Sequence, residues 1–172
     1  VLFRSVALLD HLQIEKAHIV GASMGGMIAQ IMASKYPDRT SSLVSLMSSP
    51  KIPSRSDISD RNQDNLRNME NVETKDVQEY GFYPRAMPRQ LTAIFEAGDR
   101  SDIVSNIEVP ALVLHGEEDT LVPVKYGKLT AELIKNSRLK IYQNMGHNLP
   151  EEIIPALIGD IASFYDEINE VL

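Results

Sequence analysis

The sequence predicts an α/β fold in which helices cover both faces of a parallel β-sheet. Short, almost wholly apolar runs of strand length alternate with helical segments along the chain. That alternation is typical of parallel sheets, whose strands are buried on both faces. A glycine-flanked serine, Ser23, stands where the first predicted strand passes into a helix, which agrees with the same fold class because such strand-to-helix turns occur at the edge of parallel sheets.

The first part of the chain alternates helix and strand twice. Apolar residues at near-helical spacing from Val6 to Leu12 predict a helix, and Ala17 to Val20 predict a short buried strand. Met27 to Ala33 form a helical segment that is apolar on nearly every side and ends before Pro37. Such a helix must be buried, so we expect it to pack on the sheet. Residues 43–47 predict the second strand.

The last part of the chain repeats the pattern. An amphipathic segment from Pro88 to Ala97 precedes a buried strand at residues 111–114. A helix is predicted from Val124 to Ile134, a last strand at 139–142 and an amphipathic helix from Pro150 to Glu170. We therefore expect residues 1–172 to form one domain.

Residues 50–80 differ in character from the rest. Polar and charged side chains dominate from Pro53 to Glu79, and such a stretch cannot cover much core. The composition predicts a surface insertion with a short helix around residues 63–70, and a plain solvated linker is an equal alternative.

The composition excludes several classes of protein. With 172 residues, 43% apolar and 24% charged, the chain resembles a soluble globular domain, and no apolar run approaches the roughly 20 residues that span a bilayer. A net charge of −7 offers nucleic acid no basic surface. The absence of cysteine excludes a disulfide framework, a thiol nucleophile and a thiolate metal site. We expect a cytoplasmic protein that binds neither nucleic acid nor membrane.

The segment Gly21-Ala22-Ser23-Met24-Gly25 matches the pattern G-x-S-x-G. A tight turn of this kind holds the serine in a strained backbone conformation, and glycine at both flanking positions removes side chains that would collide across it. The hydroxyl is then exposed at the carboxyl end of the sheet, beside a helix N-terminus that can stabilise an oxyanion. The alternative is a serine that only caps the helix.

A nucleophilic serine needs a base, and four histidines are available. His11 lies in the first helix and His18 just before a strand, where structural or exposed roles are expected. His115 could approach the site, but it precedes an acidic turn. His147 lies in the loop between the last strand and the last helix, from which an imidazole can reach the strand ends; the alternative is a histidine at the cap of that helix.

A carboxylate must orient the base, and the turn after residues 111–114 offers Glu117, Glu118 and Asp119. Spacing alone does not select among them, and an exposed acidic turn is the alternative. The chain order is serine, acid, histidine, which is the order found in α/β-hydrolases.

The chain resembles bacterial α/β-hydrolases of the esterase type that includes aclacinomycin methylesterase-like proteins. The resemblance covers residues 17–48 and 98–150, with residues 81–84 and 89–91 between them. By this resemblance Ser23 matches the nucleophile and Asp119 the acid of an H-G-x-x-D-x-x-V-P motif. His147 matches the base of a G-M-G-H-like motif, and the backbone N–H of Met24 matches an oxyanion donor. Because the nucleophile is serine, haloalkane dehalogenases and epoxide hydrolases, which use aspartate, are similar in fold alone.

The resemblance implies a hydrolase that cleaves a small carboxylic ester through an acyl-enzyme, with no cofactor and no metal. Peptidases, thioesterases, perhydrolases and C–C hydrolases share this triad and remain alternatives. A different reading is a truncated, non-catalytic hydrolase fragment that at most binds a small ligand or a partner chain.

Two departures from the family accompany the resemblance. Val1 falls within the helix that precedes the serine turn, so we expect an N-terminally truncated chain without the opening strands and the second oxyanion donor. Its first strand, Ala17 to Gly21, would then have an unpaired edge open to self-association. The second departure is residues 50–80, which are shorter than the usual cap over the site.

Overall fold

A computed structural model describes residues 2–60, 64 and 86–171. Apart from residue 64, the short helix predicted around residues 63–70 lies outside the described residues, as does most of the predicted insertion at 50–80. The elements given below are those of the described ranges.

The described residues form a sheet of four parallel strands in the order β1-β2-β3-β4, so the predicted α/β class is confirmed. The strands are β1 Ala17–Ala22, β2 Thr40–Leu46, β3 Ala111–Gly116 and β4 Ser137–Tyr142. The α-helices are α1 Leu2–His11, α2 Met24–Lys35, α3 Ala86–Ala97, α4 Ser101–Ser105, α5 Val124–Leu133 and α6 Ile154–Val171. Two 3₁₀ turns occur at Pro37–Arg39 and Arg55–Asp57.

Strand β2 begins at Thr40, earlier than the sequence predicts, and ends at Leu46. The first residues of β2 are polar, so a search for apolar runs does not detect them, but polar side chains of this strand form hydrogen bonds inside the fold. The Ser42 hydroxyl lies 2.7 Å from Nδ1 of His18, and the Ser45 hydroxyl accepts a 3.0 Å hydrogen bond from Gln30. A satisfied polar group can be buried at little cost.

Two helices also differ from prediction. Helix α4 was not predicted, because Val104 is its one buried side chain and leaves no apolar periodicity in the sequence. The helix begins where the Asp99 carboxylate accepts a hydrogen bond from the Ser101 N–H at 2.8 Å. Helix α6 begins at Ile154 rather than at Pro150. Pro155 occupies its first turn, where proline costs no hydrogen bond.

The core has two layers, one on each face of the sheet. Successive strand residues such as Leu43 and Val44 enter opposite clusters, as the period of a strand requires. Helix α6 covers one face through Leu157 and Phe164. Helix α2 covers the other through Ala29 and Ala33, together with residues from α4 to β4, which are Val104, Ile107, Val109, Ala111 and Ile134.

Strand β1 ends the described sheet and pairs there with β2 alone. Its Val20 side chain is 54% exposed, as are large parts of Leu8 and Leu12 nearby in the chain. The expected open edge is therefore present within the described ranges. Over the same ranges, no helix combines the length and apolarity that crossing a membrane requires.

Candidate functional site

Ser23 occupies the turn between β1 and α2 in a strained conformation, with φ 53° and ψ −121°. Two hydrogen bonds to the end of β2 and the loop after it hold the turn. The Ser23 N–H donates to the Leu46 carbonyl at 2.9 Å, and the Ser48 hydroxyl donates to the Ser23 carbonyl at 2.8 Å. The Ser23 hydroxyl makes no capping bond to α2, which contradicts the alternative of a simple helix cap.

The glycines of the turn have unequal roles. A Cβ on Gly21 would overlap the carbonyl of Gly25 and lie 2.7 Å from the nitrogen of Gly26. A Cβ on Gly26 would lie 2.5 Å from Cβ of Ser48. A Cβ on Gly25 would meet nothing within 4 Å, so the expectation that both flanking glycines prevent collisions is wrong for Gly25. The tight contact is between the backbones of Gly21 and Gly25.

The structure brings Ser23, His147 and Asp119 into one chain of hydrogen bonds. Nε2 of His147 lies 2.9 Å from the Ser23 hydroxyl, and Nδ1 of His147 lies 2.7 Å from Oδ2 of Asp119. The three residues follow β1, β4 and β3, whose parallel alignment places their carboxyl ends along one edge. His147 therefore contacts the other two side chains instead of capping α6.

Asp119 is the buried member of its acidic turn, being 4% exposed, whereas Glu117 and Glu118 face solvent. Its Oδ1 accepts the backbone N–H groups of Leu121 at 3.0 Å and Val122 at 2.8 Å. Its Oδ2 faces His147. The structure thus distinguishes among three acids that spacing left equivalent.

The carboxyl of Asp119 stays ionised across the neutral range. Burial raises its pKa, but contacts with His115, His147 and the Val122 N–H outweigh burial and hold the pKa at about 2. An ionised carboxylate accepts hydrogen bonds and donates none, so Nδ1 of His147 carries the proton toward Asp119. Nε2 then offers its lone pair to the Ser23 hydroxyl, as removal of a serine proton requires.

The backbone N–H of Met24 is available beside the serine. Met24 is the first residue of α2, and a helix provides no internal acceptor for the N–H of its first residue. The positive end of the helix dipole lies at the same place. This N–H can therefore stabilise negative charge that develops next to Ser23.

A cavity of about 340 Å³ opens beside Ser23 and His147. Two regions form its walls: residues 52–58, which belong to the segment expected to be a shortened cap, and helix α3, which was not predicted to lie at the site. Apart from Ser23, His147 and Gln90, the lining side chains are apolar: Met24, Met27, Ile52, Pro53, Ile58, Leu91, Ile94, Phe95, Leu121 and Val122. The contact of α3 with a site so distant in the chain leaves no local signal in the sequence.

The other histidines stand apart from Ser23. His18 belongs to β1 and packs its ring 4.3 Å from that of Tyr165, while His11 is exposed at the end of α1. His115 is fully buried and lies 3.5 Å from Oδ2 of Asp119 through Nε2. This contact was missed, although His115 and Asp119 stand four residues apart in one motif. Within the described ranges, no three acidic or imidazole side chains form a group that could hold a metal ion.

The parallel sheet and the strand-to-helix turn at Ser23 define an α/β-hydrolase type of fold. A family profile described as the alpha/beta hydrolase fold matches residues 3–92, more than half of the chain. The chain belongs to the α/β-hydrolase fold family.

Named relatives agree with this assignment. The hydrolase YugF of Bacillus subtilis strain 168 is 30% identical, with 92% of this chain and 68% of YugF covered. The bifunctional esterase/perhydrolase DCH of Acinetobacter calcoaceticus is 38% identical over 71 residues, which are 41% of this chain and 26% of DCH. A crystal structure of a Pseudomonas aeruginosa PA01 hydrolase shares the fold, with a TM-score of 0.75 and 22% identity over 95% of this chain and 70% of its own.

The contact between Gly21 and Gly25 predicts opposite outcomes for two alanine substitutions. Gly21→Ala should lower the free energy of unfolding by about 3 kcal/mol, because the new methyl group overlaps backbone atoms. Gly25→Ala should change it by less than about 1 kcal/mol, since the methyl group meets open space in a helix that favours alanine. Urea unfolding of both variants measures this. Equal losses would contradict the assigned contact.

The low pKa of Asp119 predicts how stability depends on pH. Because the folded-state pKa lies near 2 and the ordinary value is 3.8, ionised Asp119 contributes about 2 kcal/mol above pH 4, at about 1.4 kcal/mol per pKa unit. As pH falls through this window the contribution is lost, roughly half of it by pH 3.

Urea unfolding at pH 6, 4 and 3 should therefore show the stability difference between the unsubstituted chain and Asp119→Asn shrinking as pH falls. Glu118→Gln removes an exposed carboxylate from the same turn and is the matched control. A difference for Asp119→Asn that stays constant over this range would refute the assignment.

Proposed function

We propose that the protein is a serine hydrolase that cleaves a carboxylic ester, with Ser23 as nucleophile, His147 as base and Asp119 as the acid that orients it. The observation that carries the proposal is the continuous chain of hydrogen bonds from Ser23 through His147 to buried Asp119. The relative named esterase/perhydrolase supports the reaction class.

The proposed reaction begins with a proton transfer. His147 Nε2 takes the proton of the Ser23 hydroxyl while Oγ attacks the ester carbonyl, and the N–H of Met24 stabilises the oxyanion. Asp119 stabilises the imidazolium that forms. The imidazolium then gives its proton to the departing alkoxide, which leaves as the alcohol, and Ser23 holds the acyl group.

The second half of the reaction repeats these roles with water. His147 Nε2 removes a proton from a water molecule as its oxygen attacks the acyl carbonyl. The tetrahedral intermediate collapses, the bond to Ser23 Oγ breaks, and Oγ recovers the proton from His147. The acid product leaves, and the resting hydrogen-bond chain forms again.

The cavity favours an uncharged, apolar group on the ester. Its described lining offers Gln90 as the polar side chain besides Ser23 and His147, and no Lys, Arg, Asp or Glu. A charged group there would lose its hydration without gaining a partner. The substrate class we propose is therefore a small ester with an aliphatic or aromatic acyl group.

We further propose that residues 50–80 serve as a reduced cap within a single domain. The described part of this segment supports the idea, because Ile52, Pro53 and Ile58 line the cavity. Asp57 anchors the same loop to α5 through Lys125 and through the Tyr126 hydroxyl, which donates at 2.6 Å. The described part of the proposed cap thus forms one wall of the pocket.

Labelling with a fluorophosphonate tests the nucleophile. The chain should react once and hydrolyse 4-nitrophenyl hexanoate, whereas Ser23→Ala should not label and should lose at least about 10³-fold in kcat. Ser105→Ala, at an exposed position of helix α4, is the matched control and should retain both properties. A folded chain that neither labels nor turns over the ester supports the non-catalytic alternative, and full turnover by Ser23→Ala contradicts the assigned nucleophile.

A matched pair of esters tests the substrate class. The 4-nitrophenyl esters of hexanoic acid and of adipic acid have acyl chains of equal length, but the second ends in a carboxylate. The hexanoyl ester should have a kcat/KM about 100-fold higher, since burying an unpaired charge costs several kcal/mol. Equal kcat/KM values would show that the charged end is not buried in this cavity.

A further inference from the structure

His115 is a second buried imidazole next to the proposed acid. It closes β3, is fully buried, and lies with Nε2 2.7 Å from the carbonyl oxygen of Val122. A carbonyl only accepts, so Nε2 carries the proton. The same nitrogen is 3.5 Å from Oδ2 of Asp119, and its N–H therefore faces both Val122 and the carboxylate.

The two contacts of Nε2 belong to one ring of interactions. The Val122 carbonyl accepts from His115, while the Val122 N–H donates to Oδ1 of Asp119 at 2.8 Å. His115 thus positions Val122, whose backbone N–H binds the carboxylate of Asp119. The opposite carboxylate oxygen, Oδ2, is the one that accepts from His147.

The other ring nitrogen of His115, Nδ1, makes no favourable polar contact with the described residues. Nδ1 is buried and has no hydrogen-bond partner among the described residues. It is packed by α5, where a Cβ on Gly127 would lie 2.5 Å from Nδ1. An unsatisfied buried nitrogen costs stability that an apolar side chain would not. The contribution of this imidazole is therefore concentrated in its Nε2–H.

We propose that His115 is a positioning residue of the site, whose Nε2–H fixes the carboxylate of Asp119 in the orientation that His147 requires. It does not contact Ser23 and is not itself a lining residue of the cavity, and it acts through Asp119. The inference rests on the proposed function. It adds a fourth side chain to the site, which reaches Asp119 through the hydrogen bond to Val122 and the 3.5 Å contact with Oδ2.

Two polar substitutions separate this role from general packing. The amide nitrogen of Gln at position 115 lies near the former Nε2, whereas that of Asn lies near the former Nδ1. His115→Gln should keep kcat for the hexanoyl ester within about 3-fold, and His115→Asn should lower it by about 10- to 100-fold with little change in KM, because His115 itself does not line the cavity. His18→Gln, which alters a structural histidine of β1, is the matched control and should leave kcat unchanged.

Coupling to Asp119 tests the route of action. If His115 acts through Asp119, the double variant His115→Asn/Asp119→Asn should be no slower than Asp119→Asn alone. Multiplying losses would overturn the inference, as would equal kcat values for the Gln and Asn variants. Circular dichroism and urea unfolding of each variant report whether it is folded.

A proton NMR measurement decides the inference without turnover. The His147 Nδ1–H that bonds Asp119 should give a downfield resonance, assigned by its loss in Asp119→Asn. It should persist in His115→Gln and shift or vanish in His115→Asn. An unchanged resonance in His115→Asn contradicts the role of His115, and its absence from the unsubstituted chain contradicts the hydrogen bond itself. Failure of Ser23 to label instead contradicts the proposed function, whatever this resonance does.

Discussion

The parallel alignment of β1, β3 and β4 is the constraint on which the site depends. Parallel strands end at the same edge of a sheet, so side chains in the loops after them converge although they are far apart in the chain. Ser23, Asp119 and His147 each follow one of these strands. The intervening β2 contributes no member of the hydrogen-bond chain, but its Leu46 carbonyl holds the Ser23 N–H. The sheet thereby fixes distances that no single loop could fix.

The balance between burial and hydrogen bonding at Asp119 determines which chemistry Ser23, His147 and Asp119 can support together. A buried carboxylate is unfavourable unless donors compensate for the lost hydration. Here the N–H groups of Leu121 and Val122 satisfy one oxygen, and His147 and His115 face the other. The charge remains, and it orients one imidazole proton. The Nε2 lone pair that His147 directs at the Ser23 hydroxyl therefore follows from the environment of Asp119 rather than from any property of the serine.

The sequence predicts the parts of this arrangement that depend on local chemistry. Apolar runs mark the buried strands, and the glycines around Ser23 mark a tight turn. Prediction was wrong where a buried polar residue finds a distant partner, as at the start of β2, where Ser42 meets His18. The resemblance to known hydrolases implied a cap at residues 50–80, but the wall formed by α3 was not predicted, because no local pattern connects that helix to Ser23. His115 was considered only as a rival base, since its contact with Asp119 depends on how the turn folds back.

The strain at Ser23 links the core to the proposed chemistry. A positive φ at a non-glycine residue costs about 1 to 3 kcal/mol and persists only where the surroundings enforce it. The enforcing contacts are the Leu46 carbonyl, the Ser48 hydroxyl and the close backbone approach of Gly21 to Gly25. In this conformation the Ser23 hydroxyl lies 2.9 Å from Nε2 of His147. The packing of β2 against β1 and α2 therefore supports the proposed reactivity, because the stability of these elements maintains the strained conformation of the serine.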